Sequence, residues 1–303
     1  MSWDKDGRHS GLEVARGAAE DIRDVFADAA RCAPPEDSAY ISYLLDMAIR
    51  GDIGVYSLSA RCHTIGAICY RMLDGDVELA FGHVIWGDTE PYFLESVVKD
   101  LFDFGAHTIR SNFNWPAPWS FIRGAEAMGF KMVERMSMCL APMPVKPSVS
   151  GFEILPWDDR HAGDVCRIIS ECQAPADRPV YPALSRTEDA VALVESVMRD
   201  EHGKFMRSLS YVAVVGRVIG FLISTMVSDG SILILDIGVE RGHRRKGVGG
   251  AMLDRLIGDA YAAGYGQIIL AVTSNNYDAI RLYRRKGFRV SGHYKHYIMS
   301  KVS

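Results

Sequence analysis

The residues most able to do chemistry lie between Asp236 and Ala251. An apolar run, Ser231 to Val239, carries one carboxylate, Asp236, and leads into the basic, glycine-rich stretch Glu240-Arg-Gly-His-Arg-Arg-Lys-Gly-Val-Gly-Gly-Ala251. A strand that ends in such a turn and opens a helix leaves backbone N–H groups uncovered at the helix N-terminus. The helix dipole then favours an anion there. Gly247, Gly249 and Gly250 would let a phosphate approach, while Arg244, Arg245 and Lys246 add charge around it. The expected ligand is a pyrophosphate. No Gly-Lys-Ser/Thr follows, so this is not a Walker loop, and the Gly-x-Gly-x-x-Gly of dinucleotide folds is absent.

A second block, Asn275-Asn276-Tyr277-Asp278-Ala279-Ile280-Arg281-Leu282-Tyr283-Arg284-Arg285-Lys286-Gly287-Phe288, follows about thirty residues on. The two blocks together resemble the GNAT N-acetyltransferase superfamily. Its signatures are Gln/Arg-x-x-Gly-x-Gly/Ala and Asn-x-x-Ala-x-x-Leu-Tyr-x-x-x-Gly-Phe. The resemblance covers roughly residues 151–301 and implies an acetyl-coenzyme A site. Residues Arg244, Arg245, Lys246, Gly247, Val248, Gly249, Gly250 and Ala251 would cradle the pyrophosphate, and Ile237, Gly238 and Val239 would pair with the pantetheine arm. The Val239 N–H would face the acetyl carbonyl as an oxyanion donor. Asn276 would hold the pantetheine or cap the next helix, and Tyr283 would protonate the departing thiolate. Arg281, Arg284 and Arg285 either reach the 3′-phosphate or form a solvated face.

The proton on the acceptor amine needs a base. Where many relatives carry a strand glutamate, five residues before Asn276, this chain has Ala271. Asp236 is the alternative: a carboxylate among apolar neighbours must be paired, titrate high, or line a site. Glu240 and His243 rank below it, read first as solvated loop residues. His293, Tyr294, His296 and Tyr297 either line the acceptor pocket or are edge-strand residues. Asp177, Arg178 and Tyr181 face substrate or solvent with equal claim.

These groups need elements to hold them. Strands are expected at Phe152–Leu155, Tyr211–Val215, Val218–Val227, Ile232–Val239, Gln267–Val272 and Phe288–Met299. Helices are expected at Asp158–Cys172, Ser185–Glu201, Val248–Ala263 (stopped by Gly264) and Asp278–Lys286. The first half repeats this order. Gly11-Leu12-Glu13-Val14 matches Gly151-Phe152-Glu153-Ile154, and Cys32 matches Cys172. Ile65-Gly66-Ala67-Ile68 matches Ile219-Gly220-Phe221-Leu222, Asp74-Gly75 matches Asp229-Gly230, and Gly129-Phe130-Lys131 matches Gly287-Phe288-Arg289. The expected fold is α/β (α+β): two tandem GNAT-like domains, each a mixed twisted sheet flanked by helices. They would span residues 1–147 and 148–303, with Pro142 to Ser148 as linker. Opposite the phosphate loop the first copy has Trp86-Gly87-Asp88-Thr89-Glu90-Pro91, and Ala125 replaces the tyrosine. The first domain is therefore expected not to catalyse.

Composition bounds the rest. The 303 residues are 48% apolar and 24% charged, which excludes disorder, and no apolar run approaches a membrane span. Met1 to Ser10 lacks the apolar core of a secretory signal. Six scattered cysteines without a Cys-x-x-Cys pair read as reduced thiols in a cytoplasmic protein, with no metal. Residues 1–147 hold 14 Lys+Arg against 21 Asp+Glu, and residues 148–303 hold 20 against 17, with the positive charge clustered at the two motifs. That argues against a nucleic-acid surface. The expected activity is acetyl-coenzyme A-dependent transfer to an amine of a small molecule or peptide, by direct attack, in a monomer or homodimer. A non-enzymatic acyl-coenzyme A sensor and a transferase for another acyl chain are the alternatives.

Overall fold

Continuous apolar runs such as Ile232–Ile234 and Val218–Ile223 suit strands covered on both faces, and the helices that cover them carry one apolar stripe each. The computed structural model describes residues 11–17, 22–33, 35–73, 76–86, 88–111, 119–145, 151–227 and 230–301. Asp74, Gly75, Gly87, Asp229 and linker residues 146–148 lie outside them. The chain forms two compact units, Met1–Val133 with Lys295–Ser303, and Glu134–Tyr294. No helix among the described residues is long and apolar enough to cross a membrane.

The first unit contains β1 (Leu12–Arg16), α1 (Ile22–Cys32), α2 (Pro35–Arg50), β2 (Gly54–Ala60), β3 (His63–Leu73), β4 (Asp76–Val84), α3 (Glu90–Asp103), β5 (Thr108–Ser111) and α4 (Trp119–Ala127). The second contains most of β6 (Lys131–Leu140), then β7 (Glu153–Pro156), α5 (Ala162–Cys172), α6 (Thr187–Met198), β8 (Lys204–Phe205), β9 (Tyr211–Val215), β10 (Arg217–Met226), β11 (Ile232–Val239), α7 (Val248–Ala262), β12 (Ile268–Thr273), α8 (Tyr277–Arg285) and the start of β13 (Arg289–Ser300). Every expected element of the second half is present, with ends shifted by up to three residues and a short 3-10 turn before α5.

In the second unit the strand order is β6-β12-β11-β10-β9-β7, antiparallel except for β11 with β12. One face carries α7 and α8 over Ile232, Ile234, Leu270 and Val272; the other carries α5 and α6 over Val212, Phe221 and Ile223. The first unit follows the same plan, β1-β2-β3-β4-β5, with β4 and β5 as its parallel pair.

The division differs from the expected break at 147/148. Arg135 to Leu140 pair with β12 and bury Met136, Met138 and Leu140 under α7 and α8. Tyr297 to Ser300 pair instead with β5 and bury Tyr297 in the first unit's core. Each unit is thus completed by a strand encoded in the other half, because the apolar residues of each strand fit the core they enter.

Candidate active site

In the second unit β11 and β12 pair only from Ile232 to Ile234, and beyond that they part. A bulge helps turn them: Ile223 faces Asp236 and Ser224 faces Ile234, leaving Leu235 as the extra residue. The Glu240 N–H donates to the Ile219 carbonyl at 2.9 Å. Strand alternation then turns the N–H and C=O of Val239 and Ile237 away from β10, to the side β12 has left. Two of these groups have local partners. The Ile237 N–H donates to the Asp236 carboxylate at 2.7 Å, and the Val239 carbonyl accepts from Arg244 Nε at 2.9 Å. Gly238 is glycine because the Phe221 ring stands 2.4 Å from where a Cβ would be.

The turn after β11 is anchored by Glu240. Its carboxylate, 8% exposed, accepts from Arg167 Nη1 at 2.7 Å and Arg217 Nη2 at 3.0 Å, with His243 Nδ1 3.1 Å away. Burial alone would raise its pKa; the Arg167 hydrogen bond and the two arginine charges outweigh that and hold it below the usual glutamate range. Glu240 is a buried structural carboxylate, not the solvated loop residue or fallback base expected, and His243 is tied to it. Arg244 is spent structurally as well, since its Nη2 donates to the Cys172 carbonyl at 2.5 Å. The exposed Arg245 and Lys246 remain to supply charge, Arg245 lying 3.8 Å from Asp278.

Gly247 then takes φ +86°, a conformation that favours glycine, and α7 begins. The Ala251 N–H closes on the Gly247 carbonyl at 2.9 Å, so the N–H groups of Val248, Gly249 and Gly250 have no partner within the helix. A Cβ on Gly249 would touch Leu282 at 3.4 Å, and one on Gly250 would touch Lys286 at 3.4 Å. Larger side chains would therefore fill the space over these amides. Lys286 itself is pinned to Asp254 at 2.6 Å. Val248 points the other way, into the core.

A polar cluster faces the parted strands. Tyr283, 6% exposed and edge-on to Phe288, has its hydroxyl pKa raised by burial and then by the charges of Asp236 and Asp177, with Arg135 opposing. Half-buried Asp236 is pushed up to about 6, first by burial, against the pull of the Ile237 N–H, and further by Asp177. Asp177 accepts from Thr273 Oγ1 at 2.5 Å and from Asn276 Nδ2 at 3.1 Å. Asn276 Oδ1 caps α8 through the Ala279 N–H at 3.3 Å, so its cap role is observed and its amide is engaged by Asp177.

Arg135, on β6 and absent from the sequence reading, donates to the Tyr181 hydroxyl and lies near Tyr294. Its only signal is a charge at the start of the apolar-alternating run Met136–Leu140, and only pairing with β12 brings it here. Of the last-strand candidates, Tyr294 joins the cluster, His293 is exposed beside Glu134, and Tyr297 is buried in the first unit's core. Arg281, Arg284 and Arg285 line a hollow with Tyr277 and Ile280 on the outer side of α8.

The first unit repeats this geometry and closes it. Its parallel pair ends at Leu79, Ala80 is the bulged residue, and Ile85 N–H donates to the Ile65 carbonyl at 2.7 Å, as Glu240 does to Ile219. There Phe121, fully buried, packs 3.6 Å from the Cβ position of Gly82. Glu90, 3% exposed, begins α3 with its Oε2 unpartnered. By helix register Glu90 takes the place of Val248, and Pro91, which has no N–H to offer, takes that of Gly249.

Residues 167–288 match the model of the acetyltransferase (GNAT) family. Solved structures similar over the length of the chain include a GCN5-related N-acetyltransferase from Sphaerobacter thermophilus, at 18% identity with a TM-score of 0.64, covering 96% of each chain. A tandem GNAT protein from the clavulanic acid biosynthesis pathway aligns at 14% identity with a TM-score of 0.52, covering 96% of this chain and 99% of that one. The GCN5-related glucosamine N-acetyltransferase region of a fungal multi-domain β-N-acetylglucosaminidase aligns at 13% identity with a TM-score of 0.60, over 95% of this chain and 38% of that one. No curated protein matches the sequence.

Proposed function

Because residues 167–288 form a domain of the acetyltransferase (GNAT) family within a chain of tandem GNAT fold, we propose that the second unit transfers an acetyl group from acetyl-coenzyme A to an amine. The observation that carries this reading is the continuity of an open backbone edge on β11 with the uncovered amides of α7, beside Asp236 and Tyr283. The amides of Val248, Gly249 and Gly250 receive the diphosphate, with Arg245 and Lys246 nearby. The pantetheine arm lies along Ile237–Val239 and takes over the Val239 carbonyl from Arg244 Nε, or shares it.

Asp236 accepts the proton of the acceptor ammonium, directly or through one water. The freed amine attacks the thioester carbon while the Val239 N–H stabilises the developing oxyanion. The C–N bond forms, the C–S bond breaks, the thiolate takes its proton from the Tyr283 hydroxyl, and the second proton of the new amide nitrogen restores that hydroxyl. Burial and the two carboxylates keep that hydroxyl protonated until it is needed. The first unit serves as a non-catalytic domain. The six free cysteines support a reducing, cytoplasmic setting.

Calorimetry with acetyl-coenzyme A and a coenzyme A-release assay on an amine panel test this together. Gly249→Asp, which puts a carboxylate at the cradle, should abolish binding; unchanged affinity would remove the cradle. Tyr283→Phe should lower kcat with little change in affinity. Binding without acetylated product from any amine would instead favour the sensor reading.

A further inference from the structure

Resting on the transferase reading, we propose that the acceptor carries a carboxylate close to its amine, as an amino acid does, and that Arg135 recognises that carboxylate. Arg135 stands on β6 directly opposite Thr273 of β12 and is only 7% exposed. Two of its N–H groups are engaged, one by the Tyr181 hydroxyl and one by the Ala271 carbonyl at 3.3 Å. Its Nε has no partner, and the guanidinium joins no ion pair among the described residues. Asp177 acts on this guanidinium only through its charge, without a hydrogen bond, and a buried fork with a free N–H is costly unless an anion completes it.

Its surroundings suit a planar anion. The rings of Tyr181 and Tyr294 lie 5.2 and 6.0 Å from the guanidinium carbon and help to fix its plane. A fork held in this way matches a carboxylate with two parallel hydrogen bonds. The neighbouring position on the same face of β12 is Ala271, exposed and bearing only a methyl, with Ser137 across from it on β6. Room is therefore left where a larger residue would fill the approach.

The opposite charge is provided for within the same cluster. Asp236 and Asp177 act on the same hydroxyl of Tyr283 that Arg135 acts on, and Asp177 is held in place by Thr273 and Asn276. Arg135 and Asp236 lie on strands two apart, about 10 Å between backbones where β11 and β12 are paired and wider beyond Ile234, less the inward reach of both side chains. That separation fits a short zwitterion, ammonium toward the carboxylates and carboxylate toward Arg135. It does not fit a polyamine, which would bring a second cation to the arginine.

The test uses the full chain, acetyl-coenzyme A and matched acceptor pairs: free amino acids, their α-amides and the corresponding decarboxylated amines. Free acids should be acetylated with kcat/KM roughly 10- to 100-fold above their amides. Arg135→Met should erase that preference by raising KM for the acids, with acetyl-coenzyme A affinity unchanged, and Arg135→Lys should restore part of it. If Arg135→Met no longer binds acetyl-coenzyme A and has lost its fold, Arg135→Lys decides alone. Equal kcat/KM for acids and amides, or a preference that survives the Arg135 substitutions, overturns the proposal. A wild-type chain that binds acetyl-coenzyme A and acetylates only amines lacking a carboxylate, or no acid at millimolar concentration, overturns it while leaving the cofactor reading standing. A chain that binds no acetyl-coenzyme A sinks both.

Discussion

Asp236 shows how one residue's environment sets its chemistry. A carboxylate on an apolar strand, next to Asp177, has its pKa pushed up to about 6 from 3.8. If Asp236 is the base of the proposed transfer, kcat/KM should fall about tenfold per unit below pH 6 as it is protonated. Stability should run the other way. The folded chain holds this proton more tightly than the unfolded one, so stability is lost as pH rises from about 4 to 6. Asp236→Asn should melt like the parent below about pH 4 and be more stable at pH 7 by on the order of 1–3 kcal/mol, with activity largely gone. Melting curves at the two pH values check the sign; a variant less stable at pH 7 would show the carboxylate to be a structural ion instead.

At the scale of elements, the glycine-rich turn after β11 is held by an ion cluster more than by its own sequence. Glu240 ties the end of β11 to Arg167 of α5 and Arg217 of β10, and Arg244 ties the turn back to Val239 and Cys172. Glu240→Gln leaves two arginines short of their carboxylate. It should cost about 2 kcal/mol of stability and weaken acetyl-coenzyme A binding several-fold without touching the ligand. Denaturant unfolding and calorimetry measure the two effects, and an unchanged affinity would mean the turn holds its shape unaided. The glycines, the buried strand and the Asn-to-Phe block could be read directly from the residues. The anchors could not, because Arg167 and Glu240 are 73 positions apart and meet only once the sheet forms.

For the whole molecule, the two halves are alike in backbone and unlike in what fills their clefts. The first unit begins its helix with buried Glu90 and with Pro91, which lacks an N–H, where the second has Val248 and Gly249, so calorimetry should find one acetyl-coenzyme A per chain; two would contradict this difference. The strand exchange bears on any dissection of the chain. A fragment of residues 148–303 lacks Glu134 to Leu140, exposes the paired edge of β12 and removes Met136, Met138 and Leu140 from the core. It should show no cooperative melt, whereas residues 131–300 keep the second unit's whole sheet.

The order of elements, the repeat and the glycine-rich turn are local matters of period, glycine placement and spacing, and the chain alone determines them. Tertiary structure decided which strand closes which sheet, that Glu240 is a buried anchor, and that Arg135 stands beside Tyr283 and Asp177. Those outcomes depend on apolar strands choosing between two similar cores and on charges meeting across long sequence separations, and no local pattern encodes either.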